Sequence, residues 1–277
     1  MSLHLLTRYG LPRDLTPPPS PSFSPDDIAD LRLWLDAADA STITHSGGAV
    51  SKWTSKDANA REFVQTNGSL QPTTGNTSKN GLNTIDFDLD QLVAADAKSV
   101  WNFLHHAQHT VISVQKFGNT DTPDARHTLF GNENSTSVGR GCWFSYDDRS
   151  SVPVSDCVPH IIRTGSSIIM NHRTPNGSVP PNEYGIIRVS CDPAGTPAAT
   201  KSLISYNDGT LHDGNTTTGT PSTGDSTMDL HIGGTGSVAF RMVGQIAEML
   251  IYDRLLTASE IDDATAYLAS KWGITLA

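Results

Sequence analysis

The chain has 277 residues, 36% of them hydrophobic, and a formal net charge of −10. That length suits one large domain or two small ones, with a core that needs no disulfide staples. The acidity excludes nucleic acid and anionic membrane surfaces as main partners, since both need clustered Lys and Arg.

Residues 1–25 carry Pro12, Pro17, Pro18, Pro19, Pro21 and Pro25 with interspersed serines. Such a stretch cannot build a core and is predicted to be an extended arm. Leu3, Leu5, Leu6 and Tyr9 are its candidate apolar anchors on a neighbouring subunit, with Arg8 and Arg13 free to meet acidic surface. No apolar run in this stretch has signal-peptide length, which predicts a protein that stays in the compartment where it is made. No segment reaches the roughly 18 apolar residues of a membrane span.

The body is expected to run over 26–277 as one all-β domain. Leu31, Leu33 and Leu35 alternate with Arg32, Trp34 and Asp36, the period of a strand. A short strand over 50–53 follows the Gly47-Gly48 turn. Ile85 and Phe87 alternate with Asp86, Asp88 and Asp90, which puts the three aspartates on one solvated face. Further strands are predicted over 109–117, 128–130, 142–146, 186–191, 203–206, 230–232 and 243–252. Asn207-Asp208-Gly209 is a hairpin signal because these residues tolerate positive φ. Thr257-Ala258-Ser259-Glu260 forms a capping box, Ile261, Ala264, Leu268 and Trp272 mark one helical face, and Gly273 supplies the stop.

These elements carry a resemblance. Residues 33–39, with Ile43-Thr44 and 48–53, resemble the opening of concanavalin A-like (laminin G-like) domains of phage and bacterial proteins. Residues 80–88 are similar to that group's strand ending in Phe-Asp-Gly, with Leu89 where the glycine is usual. The run 232–234, then 244–256 with Ser259-Glu260, is similar to the closing strand and helix of these jelly rolls. The resemblance implies a two-sheet antiparallel jelly-roll sandwich with a C-terminal helix. It says little about function, since such sandwiches host many.

Relatives of this kind that hydrolyse glucans use Glu-x-Asp-x-x-Glu, because retaining hydrolysis needs carboxylates about 5 Å apart. The motif is absent, as are a nucleophile elbow and a phosphate-binding glycine loop, and the chain is expected not to be an enzyme. His105 and His109 stand four apart, but His106 occupies the place of a zinc protease's glutamate and His109 begins a strand. A polar turn explains them better than a metal site. Cys142, Cys157 and Cys191, odd in number, are expected to be thiols packed as small hydrophobes.

Ca²⁺ is the cofactor the loops could take. Asn132, Glu133 and Asn134 form one oxygen-rich loop, Asp147 and Asp148 a second, and Asp208 with Asp213 a third. Turn formation accounts for the same residues. For glycans, Trp143 and Tyr146 beside Asp147 and Asp148 are the candidate rim platform. Two readings stand together. One is a non-catalytic virion structural protein, a phage capsid decoration or tail-associated subunit on the virion surface, tied through its arm to a coat or tail lattice or to sister subunits. The other is a carbohydrate-binding module or adhesin for surface glycans.

Overall fold

The structure, a computed structural model, describes residues 23–118, 126–133, 139–147, 159–195, 202–211, 213–214, 219–236 and 240–277. Leu31–Asp36 (β1), Ile43–Ser46 (β2), Ala49–Thr54 (β3), Glu62–Val64 (β4), Thr73–Lys79 (β5), Leu82–Asp90 (β6) and Leu92–Ala94 (β7) precede one helical turn, Phe103–His106 (α1). His109–Phe117 (β8), Arg126–Gly131 (β9), Gly141–Asp147 (β10), Pro159–Thr164 (β11), Ser167–Arg173 (β12) and Tyr184–Cys191 (β13) follow. Ser202–Tyr206 (β14), Gly209–Leu211 (β15), Asp213–Gly214 (β16), His231–Ile232 (β17) and Met242–Tyr252 (β18) lead to the closing helix, Ala258–Trp272 (α2).

The antiparallel ladders trace two layers. In the first, β15, β14, β13, β8 and β18 lie side by side. The far edge of β18 is shared by β1 and β6, and β5 lies beyond β6. The second runs β2, β3, β4, β7, β17, β9, β10, β11, β12, β16. A single pair, Ala49 with Thr73, joins the two at one edge.

Strand alternation explains where the core sits. Leu33, Leu35, Val111, Phe117, Ile187, Val189, Met249 and Ile251 point between the layers, where they meet Trp53, Phe63, Leu129, Phe144 and Ile162. Trp34, Ile112, Val114, Ile186, Leu250 and Tyr252 take the opposite parity and pack under α2. The first layer is therefore covered on both faces, and β18 reads as a near-continuous apolar run. Gly244, at φ +143°, lets β18 approach β8: a Cβ there would lie 2.2 Å from the Lys116 carbonyl oxygen.

The closing helix forms as its sequence dictates. The Thr257 N–H donates to Glu260 Oε2 at 2.9 Å, and Thr257 Oγ1 accepts from the Glu260 N–H at 3.3 Å. Ala264, Leu268 and Trp272 are buried, and Gly273 ends the helix at φ 59°. One buried carboxylate fastens this helix to the sheet. Glu248 accepts from the indole N–H groups of Trp34 and Trp272, both at 2.7 Å, from the Tyr267 hydroxyl at 3.0 Å and from Lys271 Nζ at 2.7 Å. Lys271 also reaches Asp36 at 2.8 Å, and Asp36 reaches Lys56 at 2.9 Å.

Packing starts slightly before the expected boundary at residue 26. Phe23 lies 5.8 Å from the Tyr267 ring, and the Pro25 carbonyl accepts from the Tyr252 hydroxyl at 3.1 Å. The arm anchors Leu3, Leu5, Leu6 and Tyr9 lie outside the described residues.

Candidate functional site

The expected rim platform is not one. Every residue of β10 is buried, with Trp143 at 2% exposure and Tyr146 at 0%. The reason is the strand's place inside the second layer, between β9 and β11. Tyr146 faces inward and stacks on Phe117 at 5.0 Å, while the Arg163 guanidinium lies 5.4 Å over the Trp143 ring. Asp147 is buried between Arg126 and Arg173, at 3.5 and 3.7 Å. Asp148 lies outside the described residues. All five tryptophans are buried, so none offers a ring to a sugar.

The oxygen-rich loops have structural duties. Asn132 is buried, and its Oδ1 accepts the Cys142 N–H at 2.8 Å, stitching β9 to β10. Glu133 is buried beside Gly139. Asp208 sits at φ 70° in the tight β14–β15 turn, as its Asn-Asp-Gly context predicts. Asn134 and the Asp213 side chain lie outside what is described. Among the described residues, Glu133 and Asp208 belong to no group of three metal-ligating side chains; His109, His160 and Cys191 do form one.

The aspartate face also differs from expectation. Asp88 is exposed, but Asp90 is buried, and its Oδ2 accepts the Asp88 N–H at 3.0 Å. Leu89, at φ 61°, breaks the alternation and turns Asp90 inward. Burial, with the Asp88 charge adding to it, pushes the Asp90 carboxyl up to about 6. Leu89 thus occupies a left-handed conformation that a glycine would take freely.

Among the described residues, one opening that a ligand could enter lies at the edge where the two layers join. Ala40, Ile43, His45, Thr74, Gly75 and Asn83 line a cleft of about 230 Å³. A register break in β5 between Thr74 and Thr77 opens the strand there, and such bulges often re-aim side chains at binding sites. Ile43, buried, gives an apolar floor, and Ala40 is exposed at its edge. Asn83 fixes the wall: its Oδ1 accepts from the Gly75 N–H at 2.9 Å, and its Nδ2 donates to the Ala37 carbonyl at 2.8 Å and to Thr74 Oγ1 at 2.9 Å. His45 is exposed, and its Nδ1 accepts from the Gly48 N–H at 3.3 Å, which places the proton on Nε2 as a donor toward solvent. The sequence held only indirect signs of this cleft, Gly75 amid a threonine-rich strand and the Gly47-Gly48 turn.

The Tyr267–Glu248 hydrogen bond is another arrangement with chemical content. Burial and the Asp36 charge push the Glu248 carboxyl up, against the pull of Lys271. Burial and that carboxylate push the Tyr267 phenol up as well, the opposite of what a phenolate nucleophile needs. The pair holds the helix.

No protein-family model matches the chain, and no curated protein matches it in sequence. Its fold does match solved structures. The Trypanosoma rangeli sialidase superposes with a TM-score of 0.55 at 13% identity, over 88% of this chain and 33% of that one. The same sialidase in complex with sialic acid gives 0.53 at 12%, with the same coverage. The CBM40 of the Ruminococcus gnavus IT-sialidase, bound to alpha2,3 sialyllactose, gives 0.42 at 16%, over 60% of this chain and 86% of that one. The chain spans about a third of the length of the sialidase structures. At these identities the likeness to the sialidase is one of fold.

This finding corrects the expectation of a non-enzyme. Sialidases are an exception to the two-carboxylate scheme because they use a tyrosine nucleophile. The missing Glu-x-Asp-x-x-Glu motif therefore excludes one hydrolytic chemistry and not catalysis in general.

Proposed function

We propose that this protein is a lectin-like glycan-recognition domain whose binding site is the cleft over Ile43. The cleft itself carries the reading. It joins an apolar floor, suited to the C–H face of a sugar ring, to a rim of imidazole, hydroxyl and amide groups held rigid by Asn83. Its volume is below the roughly 300–1,000 Å³ of drug-sized sites, which suits a single sugar unit at the end of a chain. The fold shared with a sialidase in complex with sialic acid supports the reading. An array of sialylated and neutral glycans, probed with the purified protein, tests it. Binding that His45→Ala weakens supports the cleft, and a blank array refutes it.

A finer proposal concerns attachment. Phe23 and Pro25 pin the chain beside α2, and residues 1–22 precede them in the sequence. We propose that they tether it to a coat or tail lattice, or to a sister subunit, on a virion surface. Deleting residues 2–22 should release the domain from such a particle in cosedimentation, and continued attachment would refute the tether.

A further inference from the structure

The interior of the sandwich holds a set of donors that apolar packing does not require. His109 opens β8 and stands directly opposite Cys191, the last residue of β13. With Val111 and Val189 pointing between the layers, strand parity sends both side chains the same way. From the other layer, Ile162 and Met170 face inward as a directly opposed pair on β11 and β12. His160 shares the parity of Ile162. One donor atom from each of His109, His160 and Cys191 falls within 4.8 Å of the others, and all three residues are buried. The Cys191 sulfur lies 3.8 Å from the Met170 sulfur.

The hydrogen bonds fix what the rings can offer. His109 Nδ1 lies 3.0 Å from the Ala107 carbonyl, an acceptor only, so Nδ1 carries the proton and Nε2 presents a bare lone pair. His160 Nδ1 lies 3.2 Å from Ser202 Oγ. The Nε2 atoms of both residues are buried without a hydrogen-bond partner. Unsatisfied buried polar atoms of this kind are costly in a stable core. A ring whose Nδ1 is held by a backbone carbonyl or hydroxyl, with Nε2 aimed into a pocket, is the usual posture of a metal-ligating histidine.

We propose that His109, His160 and Cys191, with Met170 as a fourth donor, form an internal site for a thiophilic d10 cation, Cu⁺ or Zn²⁺, that ties the two layers together. The distances suit such an ion. Metal–sulfur bonds of about 2.3 Å and metal–nitrogen bonds of about 2.0 Å place tetrahedral donors roughly 3.3–3.8 Å apart. The two sulfurs already stand at that separation, and the donors of His109, His160 and Cys191, all within 4.8 Å of one another, need close by no more than about 1 Å. The donor set is soft, and the thioether favours Cu⁺ over Zn²⁺. Binding converts the Cys191 thiol to a thiolate and releases one proton to solvent. Sequence reading set His109 aside as part of a polar turn and Cys191 as a small packed hydrophobe, and it did not weigh His160 or Met170; only the register of β8 on β13 and the stacking of the layers bring them together.

The test uses the full chain with Co²⁺ as an optical probe, added both to folded protein and during refolding, followed by competition with Zn²⁺ and, anaerobically, with Cu⁺. One equivalent should bind with an intense thiolate-to-cobalt absorption and release of one proton. Cys191→Ser should abolish that absorption, while Cys142→Ser should leave it intact. His160→Gln should lower affinity about tenfold or more. Met170→Leu should weaken Cu⁺ while sparing Zn²⁺. Circular dichroism confirms folding of each variant, and if Cys191→Ser does not fold, the His160→Gln titration decides. Folded wild-type protein that gives no thiolate-to-cobalt absorption under either protocol overturns the proposal, as does absorption that survives Cys191→Ser.

Discussion

Replacing Glu248 by alanine tests how the closing helix is held. The carboxylate accepts from two indoles, a phenol and an ammonium, and it is fully buried. Without it, Lys271 keeps Asp36 at 2.8 Å, but the Trp34 and Trp272 N–H groups are left in the core with no acceptor. Each such loss costs about 1–3 kcal/mol. Breaking a buried charged network by removing one partner costs about 3–5 kcal/mol by direct comparison, so the two routes agree at about 3–5 kcal/mol. Equilibrium urea unfolding, followed by tryptophan fluorescence and far-ultraviolet circular dichroism, measures it. The midpoint should fall with little change in slope, and near-ultraviolet dichroism from Trp34 and Trp272 should weaken. A loss below about 1 kcal/mol would show that the network is incidental and that apolar contacts of Leu268 and Ala264 alone dock the helix.

Two smaller changes probe the β6 bulge. Leu89→Gly relieves a left-handed leucine that is 48% exposed, and after glycine's entropic cost it should raise stability by about 0.5–1 kcal/mol; a lower melting temperature would contradict the assignment. Asp90→Asn addresses the carboxyl held at about 6 against an unfolded value of 3.8. In that window the folded chain binds a proton that the unfolded chain has released, so wild-type stability falls as pH rises from about 4 to 6. The variant should lack that decline and gain on the wild type above pH 6, in melting curves taken from pH 3.5 to 7.

Much of the fold could be read from the sequence because it depends on local rules. Alternation in 31–36 and the strand-like runs over 109–117 and 186–191 marked strands that the structure places in one layer, and the capping box with Gly273 marked α2 to the residue. Sites were harder, because they depend on register and on which layer covers which face. Trp143 and Tyr146 looked like a rim pair since Asp147 and Asp148 follow them, yet β10 runs through the middle of a layer. Asp90 was expected on a solvated face, and one residue of positive φ reversed it. The cleft at Ile43 depends on β2 and β5 meeting across 30 residues of chain, a juxtaposition that no short motif encodes.

Blocking the cleft shows whether sugar binds there. Ala40 is exposed at the cleft's edge, so Ala40→Arg should fill the opening without disturbing the core. Isothermal titration with the strongest array ligand should give binding at one site per chain for the wild type. The account predicts at least a tenfold loss of affinity in Ala40→Arg, with an unchanged melting temperature. Equal affinity in the two proteins would contradict it and move the site away from Ile43.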